Sequence, residues 1–67
     1  MSNKRPTAAE PRTVLIVDDE ATAIRAVQQG MDWRRLDFPV LHTAQSKAEA
    51  VRVFETQPIH LVICDIE

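Results

Sequence analysis

Asp18, Asp19 and Asp65 are the side chains in this sequence best placed to do chemistry, because each acid or acid pair ends an uninterrupted apolar run. Val-Leu-Ile-Val at 14–17 precedes the pair, and Leu-Val-Ile-Cys at 61–64 precedes the single acid. Short β-branched and aliphatic runs of this kind read as strands buried on both faces of a parallel sheet. In such sheets, ligands bind outside the carboxyl ends of the strands, where the strand order reverses. If the two runs lie side by side, three carboxylates converge there and repel one another. A hard divalent cation relieves that repulsion. Mg²⁺ suits the task because it takes oxygen ligands in octahedral geometry and keeps several waters, so one or two carboxylates and a phosphoryl oxygen are enough. With negative charge neutralised, a carboxylate can attack phosphorus in line and become an acyl phosphate. These residues therefore point to metal binding by Asp18, Asp19 and Asp65 and to phosphoryl capture by Asp65.

Simpler roles compete with this one. A single Asp ahead of a helix serves equally well as a cap or as a solvated loop carboxylate; a pair at one strand end and a third acid at another favour a site. Glu20 is expected to be a first-turn helix acid answering the helix dipole rather than a ligand. His42 and His60 lie in or beside strands with no partner at metal-ligand spacing, and both read as structural. Cys64 should point away from the acids by strand alternation and behave as a small buried hydrophobe. Trp33 reads as a packing residue.

The elements that must position the acids follow from periodicity. Thr13 opens the first strand, which runs over 13–17. From Ala21 to about Gln29, the apolar positions Ala23, Ile24, Val27 and then Met31 recur at helical spacing, and Gly30 is a natural stop. An irregular connection over 32–39 holds Trp33 and Phe38. A second strand over 40–44 is less purely apolar, as an edge strand is allowed to be. Ser46 followed by Glu49 forms a capping box. Behind it, Ala48, Val51 and Phe54 make the expected buried stripe of a second helix, which Pro58 terminates. The run over 61–64 is expected to be a third strand, buried like the first. The order strand–helix–strand–helix–strand, with right-handed crossovers, predicts an α/β fold that opens a doubly wound parallel sheet. Residues 1–12 are polar, carry Pro6 and Pro11, and read as a flexible leader to a folded region over 13–67.

Composition narrows the function classes. Eight basic side chains against ten acidic ones give a net charge of −2, and no stretch gathers the positive charges into a nucleic-acid footprint. One cysteine excludes an intrachain disulfide, and no apolar run approaches the length of a membrane span. A cytoplasmic chain with no membrane contact is expected. With only 67 residues, any core must be thin.

The segments Val14-Leu-Ile-Val-Asp-Asp-Glu20 and Leu61-Val-Ile-Cys-Asp-Ile66 together resemble the signature of response-regulator receiver domains from two-component signalling. The resemblance covers 13–67. It implies a truncated flavodoxin-like fold, the N-terminal strand–helix–strand–helix–strand portion of a (βα)5 receiver. Carried over by position, it implies that Asp19 is a direct Mg²⁺ ligand, that Asp18 holds the metal mainly through water, and that Asp65 is the phosphoacceptor. It also implies that the backbone carbonyl of Glu67 is a metal ligand. The implied partner is a sensor histidine kinase or a phosphotransfer protein. The implied role is that of a signalling phosphoacceptor rather than an enzyme. The stretch Met31-Asp-Trp-Arg-Arg-Leu-Asp-Phe38 is similar to the Asp-Trp segment of receivers joined to AraC-type helix-turn-helix outputs. Any DNA contact would belong to such an output domain, which lies outside this sequence, as do the phosphoryl-sensing Ser or Thr and the pairing Lys of a receiver.

Two other readings remain open. Phosphatases and phosphotransferases of the haloacid-dehalogenase type also place a nucleophilic Asp after an apolar strand, and Asp65-Ile66-Glu67 is faintly similar to their Asp-x-Asp. A truncated receiver could instead act only by binding a partner. In the receiver reading, the third strand would be central with a fourth beside it, so the isolated chain exposes an apolar edge. The 67-residue chain is therefore expected to be marginally stable. Far- and near-ultraviolet circular dichroism should show a broad melt that changes with protein concentration; a sharp, concentration-independent one would count against this expectation.

Overall fold

A computed structural model of the chain describes residues 11–65. The expected leader falls outside the described residues except for Pro11 and Arg12. Five elements follow in the order β1 (Thr13–Asp18), α1 (Ala21–Gly30), β2 (Val40–Ala44), α2 (Lys47–Thr56) and β3 (Leu61–Asp65). The fold is a small α/β unit whose three strands are all parallel, in the order β2-β1-β3. The strand order reverses direction at β1. With right-handed crossovers, such a reversal puts the two helices on opposite faces, and the packing agrees. Val14 and Ile16 join Ile24, Trp33 and Phe38 on the α1 face, whereas Leu15 and Val17 join Ala44 and Ile59 on the α2 face. Alternation along one strand thus feeds two half-cores.

β1 is buried on both faces, as its apolar run predicts. β3 is not. Its composition resembles that of β1, yet Leu61 and Val62 are 39% and 45% exposed, and only Ile63 reaches partial cover. The expected burial of the third strand is therefore corrected. The sheet order puts β3 on an open edge, while α1 packs on β1 and α2 on β2 and β1. Cys64 shares that fate and is exposed, not buried.

The helices show what local chemistry decides. The Ser46 hydroxyl accepts a bond from the Glu49 N–H at 3.1 Å, and the Glu49 carboxylate accepts the Gln45 N–H at 2.6 Å. This is the predicted cap, reaching one residue further back than the standard capping box. Gln57 is extended, as a residue before proline must be, so α2 stops at Thr56. Its packed face differs from expectation. Ala50 and Val53 meet the sheet, whereas Ala48 is exposed and Val51 and Phe54 remain 49% and 48% exposed. The apolar arc of α2 is wider than one stripe, and the helix turns its 50/53 flank inward because it lies over β2 and β1. Val51 and Phe54 line an open groove with Leu15 and Val62.

α1 extends through Gly30, and the following Met31 is extended at φ −134° and ψ 147°. Gly30 is the last helical residue and has no positive φ, so the helix does not end on a left-handed glycine. Trp33 closes this end instead: its indole N–H donates to the Val27 carbonyl at 3.3 Å. The connection after α1 is held by bonds from the Asp37 N–H to the Arg34 carbonyl and from the Phe38 N–H to the Trp33 carbonyl. Asp37 takes a positive φ of 69°, which an Asp tolerates better than most residues. The result brings Trp33 and Phe38 edge to face, 6.4 Å between ring centres. Arg12 covers the Phe38 ring and pairs with Asp37 at 3.6 Å.

His60 has the structural role expected of it. Its Nδ1 accepts the Thr13 N–H at 3.0 Å, and its own N–H donates to the Thr13 carbonyl at 2.9 Å. These bonds pin the start of β3 to the start of β1. Guanidinium denaturation tests the packing assignments. Ile16→Ala is expected to cost about 2–5 kcal/mol, while Val51→Ala should stay within about 0.5 kcal/mol. A larger loss from Val51→Ala than from Ile16→Ala would overturn the face assigned to α2.

Candidate functional site

The parallel register between β1 and β3 pairs Val14 with Leu61, Ile16 with Ile63, and Asp18 with Asp65. Residues paired across strands share a face of the sheet, so Asp18 and Asp65 project from neighbouring strand ends on the α1 side. Cys64 falls on the other side, in keeping with alternation. Asp19 and Glu20 form the short turn from β1 into α1. All four acids line one open cleft of about 190 Å³.

Within that cleft the acids are not equivalent. Asp18 is half-buried, and its Oδ1 accepts the Glu20 N–H at 3.0 Å. That bond folds the turn back and is a capping-type contact of the kind any Asp before a helix can make. The turn contact leaves Asp18 lining the cleft, so it does not exclude a ligand role for the same side chain. Asp19 and Glu20 are exposed. One carboxylate oxygen each from Asp18, Asp19 and Glu20 lies within 4.8 Å of the others. Asp65 lines the cleft but is not part of that close trio, and Glu67 lies outside the described residues.

Glu20 does not take the first-turn position expected of it. It is the N-cap of α1 rather than a first-turn residue, its side chain makes no capping bond, and the first turn of α1 holds no acid. The signal was present in the run Asp-Asp-Glu at 18–20. Its meaning depended on a turn that doubles back, which residue types alone do not reveal.

The donors are all carboxylate oxygens, a set that suits a hard cation such as Mg²⁺ or Ca²⁺ and disfavours softer metals. His60 is engaged at the opposite end of the sheet, and His42 is paired in register with Leu15 in mid-strand. Neither joins the acids. Two unit charges 4 Å apart repel by only about 1 kcal/mol in water, and the N-terminus of α1 offers a partial positive charge nearby. The solvated trio can therefore persist without a metal, yet a cation entering it gains from all three charges.

Thermal melts at low ionic strength, with and without Mg²⁺, test the cluster. Mg²⁺ at a hundred times its dissociation constant should stabilise the wild-type chain by about 2.7 kcal/mol. Asp19→Asn and Glu20→Gln should each raise metal-free stability, since one of three like charges is removed, and each should shrink the Mg²⁺ effect. An undiminished Mg²⁺ response in both variants would remove the trio from metal binding.

Comparison of the chain with protein-family models, with curated proteins and with solved structures gave no match.

Proposed function

We propose that this chain is the N-terminal portion of a flavodoxin-like, doubly wound receiver domain, in which Asp65 accepts a phosphoryl group from the phosphohistidine of a sensor kinase or phosphotransfer protein. The observation that carries the reading is the Asp18–Asp65 register, with the acid pair and the single acid opening on one cleft. The exposed Leu61 and Val62 on the open edge of β3 also support it, since a longer parallel sheet would cover them.

In this reading an oxygen of the Asp65 carboxylate attacks phosphorus while the P–N bond to the donor imidazole breaks. The imidazole nitrogen takes up a proton, and an acyl phosphate remains on Asp65. Asp65 is exposed at a strand end, where a donor as large as a protein can reach it. Asp18, held by the Glu20 N–H, and Asp19 supply the acidic wall of the cleft. Mg²⁺ bound by these acids would neutralise charge on the phosphoryl oxygens. The product stays on the chain, so the role is that of a signalling phosphoacceptor with no turnover of a separate substrate.

The wider reading follows the same resemblance: a cytoplasmic regulator, with the Trp33 segment belonging to receivers of AraC-type transcription factors. Among the described residues, no helix is long and apolar enough to cross a membrane.

Labelling with a radioactive small phosphodonor and Mg²⁺ tests the proposal, with beryllofluoride binding as a readout that needs no phosphoryl transfer. Wild-type chain should take up hydroxylamine-labile label, and Asp65→Asn should abolish it. Asp19→Asn should slow it by about tenfold or more, the effect of losing roughly 1.4 kcal/mol of transition-state stabilisation. Label that persists in Asp65→Asn would exclude Asp65 as the acceptor.

A further inference from the structure

We draw no further inference here: the strongest candidate, the apolar groove of Leu15, Ala50, Val51, Phe54 and Val62 beside the open β3 edge, carries nothing because nothing in the structure shows what covers it.

Discussion

Val14, Leu15, Ile16 and Val17 are withdrawn from water in succession, alternately toward α1 and toward α2. Burying such a side chain is worth about 1.5–3 kcal/mol, and no other segment of the described chain buries four in a row. Everything else is arranged around this strand. β2 and β3 satisfy its backbone on both sides, and the helices cover its two faces. A polar residue at any of these positions would reach one of the two half-cores, so the strand cannot be altered on one face without loss. Because a parallel strand fully paired on both sides has a fixed register, the point where β1 leaves the core is fixed as well. That point is Asp18.

The acid cleft is therefore a by-product of packing before it is a site. β1 and β3 run in the same direction, so their carboxyl ends coincide, and Asp18 and Asp65 meet without any loop having to bring them together. Only Asp19 and Glu20 depend on a turn, and that turn is short and tied by the Asp18–Glu20 bond. The pocket thus combines two acids positioned by the sheet with two positioned by the start of a helix.

How much of this was legible in the sequence differs from residue to residue. β1 was readable because a central strand of a parallel sheet needs a pure apolar run, and the run at 14–17 serves few other purposes. The cap of α2 was readable because Ser46 and Glu49 act within a few residues of one another. The faces of α2 were not. Ala48, Ala50, Val51, Val53 and Phe54 all fit an apolar arc, and the sheet beneath decides which flank is used. β3 illustrates the same limit, since its composition states that it tolerates burial but not whether anything lies over it. Asp18 and Asp65 were legible as partners through the strand pattern. Glu20 was not, because its closeness to the other acids depends on backbone dihedrals at the turn. Trp33 was legible as a packing residue, but its bond to the Val27 carbonyl depends on how the loop over 32–39 folds back.

The bond from the Glu20 N–H to the Asp18 carboxylate also bears on how a ligand would meet the cleft. A free carboxylate rotates and must give up that freedom to hold an ion, whereas Asp18 has already been restrained by the backbone that starts α1. The restraint acts in both directions. A ligand that draws the Asp18 oxygen away from the Glu20 N–H leaves that N–H without its partner, and one that accepts the oxygen's existing direction keeps the turn tied. The orientation of a single side chain is in this way joined to the turn that leads from β1 into α1.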